Sequence, residues 1–246
     1  MDETTDDTVL DGRVKLRQPA RGYRAGVDAA LLAAACDAAD GGRVIEAGCG
    51  AGGALLAAAA RRAGASFVGV ERDVRAAALA RENAVANGLS DRVEVIEGDV
   101  AQRFAALGLE PFDAALANPP FFDDADALRG PSEERRAAWM ADDGLAAWTG
   151  FLSKAVREGG AITVIHRADR LADILALLAD KCGSFQVRPI HPFADGAAKR
   201  VIVRAVKTGK APLQLLPGLV LHDREGGKHT AQAEEILRGR ADLPWA

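Results

Sequence analysis

The stretch from Arg43 to Arg62 limits the fold of this chain more than any other. Arg43 to Glu46 reads as a short strand, Glu46-Ala47-Gly48-Cys49-Gly50-Ala51-Gly52 as a glycine-rich turn, and Ala54 to Arg62 as an Ala/Leu helix stopped by Gly64. A strand that runs through glycines straight into a helix lets backbone approach a nucleotide-like ligand. Phe67 to Val70, bounded by Glu71, is the next buried strand and completes a β-α-β unit. The alternation then continues. Asp73 opens a helix that runs to Asn87-Gly88, and Val93 to Ile96 and Phe112 to Ala117 are strands. Leu145, Trp148, Phe151, Leu152, Ala155 and Val156 share a helical face closed by Gly159-Gly160, and Ala161 to Ile165 is a strand. A helix carries Leu171, Ile174, Leu175 and Leu178, and Phe185 to Ile190 and Val201 to Val206 pair as a hairpin through Asp195-Gly196. Before the glycine turn, Asp28 caps a helix through about Ala39, anchored by Leu31 and Leu32 and ended by Gly41-Gly42. The fold class expected is α/β: a mostly parallel sheet with helices on both faces and a terminal antiparallel hairpin.

With 246 residues, 49% hydrophobic and 27% charged, the chain has enough apolar material for one large domain. Its longest wholly apolar run, Ala54 to Ala60, is far too short to span a bilayer, and Asp2 to Asp7 is acidic where a signal peptide is basic. A cytoplasmic protein is expected. Cys36, Cys49 and Cys182 stand apart with no Cys-x-x-Cys pair, so neither a disulfide framework nor a metal site is expected. A net charge of -4 argues against nonspecific coating of nucleic acid. Residues 1 to 12 are acidic and poor in large apolar groups, and are expected to be a disordered tail ahead of a single domain over 13–246. Arg13, Lys15, Arg17, Arg21 and Arg24 follow with no acidic residue among them, a run most simply read as a solvated face.

In an open parallel sheet, ligands bind beyond the carboxyl ends of the strands, where Glu46, Glu71, Asp99 and Asn118 all fall in this reading. Any one of them taken singly is a helix cap or turn residue; four together mark a crevice. The glycine turn alone is ambiguous, because Gly48, Gly50 and Gly53 also fit a dinucleotide-binding pattern, with Glu71 at the spacing of a ribose-binding acid. Glu46 just before the turn and the acidic Asp99 after the third strand tilt the choice away from that option. A carboxylate here repels a pyrophosphate but holds the ammonium of a methionine moiety, which favours S-adenosylmethionine as cofactor. The expected cofactor contacts are Glu46 at the ammonium, Glu71 at the ribose hydroxyls and Asp99 with the Val100 backbone at the adenine, together with Gly48, Cys49, Gly50, Arg72 and Asn118.

Asn118-Pro119-Pro120-Phe121 is the second and more specific signal. Its plain reading is a rigid turn that stops a strand. Its chemical reading is a grip on a planar amine, whose lone pair is delocalised into the adjacent π-system and must be rehybridised before it attacks. The Asn118 side-chain oxygen and the Pro119 carbonyl can accept one amine hydrogen each, Pro120 fixes the backbone, and Phe121 offers a stacking face. Phe122 to Asp143 is a long charged connection leaving this segment; its Arg129, Arg135 and Arg136 are candidate substrate contacts, as are Lys199 and Arg200. The four histidines, His166, His191, His222 and His229, are scattered and read as structural or solvated.

Gln18-Pro19, Gly22-Tyr23-Arg24, Asp28 to Leu32, Glu46 to Gly52, Asn118 to Phe121, Leu219 to His222 and Glu234 to Arg238 together resemble the bacterial tRNA (adenine-N6) methyltransferase family, of the type that modifies adenosine 37 of a valine tRNA. The resemblance implies a seven-stranded class I methyltransferase (Rossmann-like) fold, S-adenosylmethionine in the crevice, an RNA substrate presenting adenine to Asn118, and Tyr23 and Asp28 near the cofactor's methionine end. The chain has Phe121 where many relatives of that family carry tyrosine. Protein glutamine methylation is the alternative acceptor, since a side-chain amide also offers a flat NH2. A nicotinamide-dependent oxidoreductase or a non-catalytic nucleotide-binding module is the alternative class.

Overall fold

The computed structural model describes residues 3–20, 24–120 and 144–245. Tyr23, Phe121, the Phe122 to Asp143 connection and its Arg129, Arg135 and Arg136 lie outside the described residues.

Among the described residues the centre is a nine-stranded sheet. The strands are β3 (Arg43–Ala47), β4 (Ser66–Glu71), β5 (Val93–Glu97), β6 (Phe112–Ala117), β7 (Val156–Arg167), β8 (Cys182–His191), β9 (Arg200–Lys207), β10 (Gln214–Leu215) and β11 (Leu219–Val220). They run in the order β10-β8-β9-β7-β6-β3-β4-β5, with β11 also on β8. β3 through β7 pair in parallel, and β9 lies antiparallel between β7 and β8. Seven of these strands are those the alternation predicts. β10 and β11 are two-residue additions that cover the edge of β8 in parallel, where an unpaired edge would otherwise be open. β7 begins at Val156 rather than Ala161, because the chain leaving the preceding helix pairs at once with Phe112 and absorbs the mismatch in a bulge between Phe112 and Ala114.

Helices α1 (Val27–Ala34), α2 (Gly53–Arg61) and α3 (Val74–Ala86) cover one face. Helices α4 (Leu145–Ala155) and α5 (Leu171–Leu178) cover the other. α2 is buried along Gly53 to Ala59, which is why an Ala/Leu sequence without a polar face is stable there. α3 starts where Asp73 accepts hydrogen bonds from the Arg75 and Ala76 backbone N–H groups, both 2.9 Å. α1 ends at Ala34, short of the expected Ala39. Its last carbonyls are taken by the C-terminal segment: Leu243 N–H donates to Ala34 and the Trp245 indole to Ala35, at 2.9 and 2.8 Å. That segment follows helix α6 (Ala231–Leu237) and is held by Arg61 and Arg62 on Asp242 and by Arg188, which donates to the carbonyls of Pro217 and Pro244.

The acidic N-terminus is not wholly disordered. Thr4–Val9 forms strand β1, antiparallel to β2 (Val14–Pro19). Low apolar content led to the opposite expectation, and pairing with the following basic run explains the difference. Asp6 pairs with Arg17 at 3.0 Å, and Asp7 accepts from Thr5, Gln18 and Arg24. These hydrogen bonds, chiefly from Gln18 and Thr5, hold the Asp7 carboxyl below its usual range.

β2 is fastened to α3 by two side-chain amides that act as a substitute strand. Asn83 accepts from Arg17 N–H at 2.8 Å and donates to the Arg17 carbonyl at 2.8 Å. Asn87 does the same for Lys15 at 2.8 and 2.7 Å. The match is geometric: four residues of helix rise about 6 Å and two residues of strand about 6.7 Å. Asn83 is buried and also donates to the Ala51 carbonyl at 2.9 Å, joining the hairpin to the glycine turn. Asn83→Ala is therefore expected to lower the unfolding free energy by about 2 kcal/mol, and the more exposed Asn87→Ala by less, read from urea midpoints. Equal, negligible shifts would show that the amides do not fasten the hairpin.

Candidate active site

The glycine turn is folded by short-range bonds. Cys49 N–H donates to Val70 at 3.0 Å, which ties the turn to β4, and Gly52 N–H returns to Cys49 at 2.9 Å. Gly48 has φ +64°, and a Cβ there would lie 2.2 Å from the Trp148 ring of α4. Only glycine fits. Gly50 has φ +55° with open space on its side-chain face, so its backbone is accessible to a ligand.

Two carboxylates stand behind this turn. Glu46, on β3, is 2% exposed, and its Oε2 has no hydrogen-bond partner among the described residues. Burial, then the charge of Glu71, raises its pKa well above the ordinary carboxyl value, opposed by the Leu55 N–H. Glu71, ending β4, accepts from Gly50 N–H at 2.9 Å and from Asp73 N–H at 2.8 Å. Cys49 is buried beside them and is pushed well above the usual thiol range by burial, then by the charges of Glu46 and Glu71. All three cysteines are free.

Glu46, Gly48, Cys49 and Asn118 line one cleft with Gln18, Ala25, Ala29, Ala51, Gly53 and Ala54. Asn118, which follows β6, is 8% exposed; Pro119 is buried and Pro120 half-buried. Gln18, on β2, was not a site candidate from sequence: it is 3% exposed and accepts from Ala25 N–H at 2.9 Å. Its early position in the chain gave no hint that the hairpin walls the cleft. Arg72, Asp99 and Val100 follow the ends of β4 and β5; Arg72 is exposed, Asp99 half-buried and Val100 buried. Asp28 and Arg200 are joined to each other, 3.0 Å apart, and Lys199 is exposed at the start of β9. His166, ending β7, is buried and its pKa falls to about 4, by burial first and then the charge of Arg170, with Arg200 adding and Asp169 opposing.

The fold recurs in known proteins. A methyltransferase small domain model matches residues 24–130, from the start of the described segment before α1 to beyond Asn118. The crystal structure of a predicted O-methyltransferase from Agrobacterium tumefaciens superposes with a TM-score of 0.74 at 28% identity, covering 88% of this chain and 98% of that one. The chain has the fold of the class I S-adenosylmethionine-dependent methyltransferases and is similar to them in sequence. Two curated relatives carry different acceptors in their names. A release factor glutamine methyltransferase of Chlorobaculum tepidum is 30% identical over 64% of this chain and 56% of its own length. A tRNA1(Val) (adenine(37)-N6)-methyltransferase of Trichodesmium erythraeum is 28% identical over 81% of this chain and 83% of its own length. The chain thus spans little more than half of the first of these and most of the second.

S-adenosylmethionine is the cofactor of this methyltransferase class, and the cleft fits it. A buried carboxylate oxygen without a partner suits the ammonium of a methionine moiety, and the open face of Gly50 leaves room beside Glu71 for a sugar. Among the described residues no helix is long and apolar enough to cross a membrane.

The raised pKa of Glu46 has a thermodynamic consequence. Between its unfolded value of 4.5 and the raised folded value, the unliganded folded state binds more protons than the unfolded state. Stability from this group is then full below pH 4.5 and is lost as pH rises through the raised value. Glu46→Gln should gain stability over the wild type progressively as pH rises above 4.5 in urea unfolding without cofactor. A pH-independent difference would contradict the buried, charge-strained carboxyl.

Proposed function

We propose that this methyltransferase transfers a methyl group to the exocyclic N6 amine of an adenine in RNA, with a tRNA anticodon-loop adenosine of the position-37 type as substrate. The observation that carries the reading is the placement of Asn118, buried at the end of β6, in one cleft with Glu46, Gly48 and Cys49. The long match to the adenine-N6 relative from Trichodesmium erythraeum supports the acceptor.

When bound, S-adenosylmethionine would supply an electrophilic methyl on a sulfonium, with the neutral thioether S-adenosylhomocysteine as the leaving group. Glu46 holds the ammonium of its methionine moiety, Glu71 the ribose hydroxyls, and Asp99 with the Val100 backbone the adenine. Asn118 Oδ1 and the Pro119 carbonyl each accept one hydrogen of the substrate NH2, which favours a pyramidal nitrogen with its lone pair free to attack. Pro120 keeps that backbone rigid, and Phe121 stacks on the base. The proton leaves to water after transfer, so no catalytic histidine is required; His166, held neutral, has no part in this scheme. Alignment is the main contribution, worth up to roughly 7 to 11 kcal/mol when reactants are well oriented. Anticodon loops suit such a site, because their bases can be splayed out and stacked on aromatic side chains.

The second reading, transfer to a protein glutamine, is favoured by the relative from Chlorobaculum tepidum. Incubation with labelled cofactor and unmodified total tRNA, followed by nucleoside mass spectrometry, decides between them: N6-methyladenosine is expected, and label in a glutamine-containing release-factor peptide instead would overturn the adenine reading. Asn118→Ala should reduce turnover by at least about 100-fold, as loss of a transition-state acceptor does, with S-adenosylhomocysteine affinity within about twofold. Retained turnover would remove Asn118 from the chemistry.

A further inference from the structure

At the same rim of the sheet, two loops meet in a ladder of rings. The first joins β8 to β9 and carries Phe193; the second runs from β11 to α6 and carries His222 and His229. His222 and His229 are stacked, 5.1 Å between centroids and 25° apart in plane. Phe193 lies 5.5 Å from His222, and the Arg224 guanidinium sits 4.3 Å over the Phe193 ring while pairing with Asp195. The backbone locks both loops: Leu221 N–H donates to His191 at 2.8 Å, His222 N–H to Pro192 at 2.9 Å, and His222 Nδ1 lies 2.8 Å from the Lys228 carbonyl. All three rings are half-buried and keep part of their surface in solvent.

β8 stands three strands from β6 in the sheet order. At about 4.8 Å per strand, the ladder lies roughly 15 Å from the end of β6 where Asn118 follows. A few nucleotides of extended strand cover that distance. We infer that Phe193, His222 and His229 form a stacking platform for unpaired bases next to the target adenine, with Lys199 and Lys228 facing the phosphates. The inference rests on the RNA reading above and deepens it. With Arg224 over Phe193 and His222 packed between the other two rings, flat, sequence-varied partners continue the stack from its His229 end, because every base has a π-face. Of the acidic groups nearby, Asp195 is engaged by Arg224, while Asp223, which accepts the Glu225 N–H, and Glu225 remain as opposing charges.

The test is fluorescence anisotropy of the full chain with a labelled, unmodified anticodon stem-loop RNA, with S-adenosylhomocysteine affinity measured alongside. Phe193→Ala and His222→Ala are expected to weaken RNA binding about tenfold, the scale of one lost base stack. His222→Phe keeps a ring but loses the bond to Lys228, and is expected to bind RNA within about twofold of wild type. Cofactor-product affinity should be unchanged throughout. Wild-type affinity in the alanine variants overturns the platform while leaving adenine methylation standing. Loss of RNA binding in His222→Phe, or loss of S-adenosylhomocysteine binding with the alanine changes, makes the ladder a structural pin and also overturns it. Failure of the wild type to bind the stem-loop removes the RNA reading itself.

Discussion

The cleft depends on two carboxylates brought together behind a turn that only glycine can make. Glu46 and Glu71 end adjacent parallel strands, and the turn between β3 and α2 passes in front of them with Gly50 N–H donating to Glu71 at 2.9 Å. Burial first, and then the neighbouring charge of Glu71, raise the pKa of Glu46. A site arranged this way disfavours anions and favours a cation that relieves the repulsion. The same strand, turn and helix built without Glu46 would suit a pyrophosphate; one buried charge changes the ligand class.

The rest of the fold keeps that turn in place from both ends of the chain. Trp148 presses on Gly48 from α4, and Asn83 reaches from α3 to Ala51 while gripping β2. β2 in turn presents Gln18 to the cleft. At the other end, the segment after α6 caps α1 through Ala34 and Ala35, and Arg13 donates to the Gly239 and Ala60 carbonyls, joining the hairpin, α2 and the C-terminal segment. Terminal elements that look accessory in sequence thus act on the helix and strand that flank the cofactor cleft.

The parallel core was legible because its signals are local: apolar runs of strand length, glycine stops, and Asp73 at the head of α3. The acidic ends of β3 and β4 were legible for the same reason, since Glu46 and Glu71 sit at fixed offsets from those runs. What escaped depends on partners distant in sequence. Thr4–Val9 has too few apolar residues to be read as a strand and is ordered by the basic residues that follow it. The early stop of α1 is imposed by residues more than 200 positions later. Gln18 carried no motif that placed it in the cleft, and the pairing of Asp28 with Arg200 joined two residues expected to serve different ligands. The ring ladder was equally invisible, because Phe193 and His222 belong to loops separated by β9 and by two short strands, β10 and β11, that no periodicity announces.

The claim that paired carboxylates choose the ligand is tested most directly by titration calorimetry of the purified chain with S-adenosylhomocysteine and, separately, NADH. S-adenosylhomocysteine carries the ammonium that Glu46 is proposed to hold, and NADH carries the pyrophosphate that it is proposed to repel. The account predicts saturable one-to-one binding of the first and no detectable binding of the second. Tighter binding of NADH would contradict it.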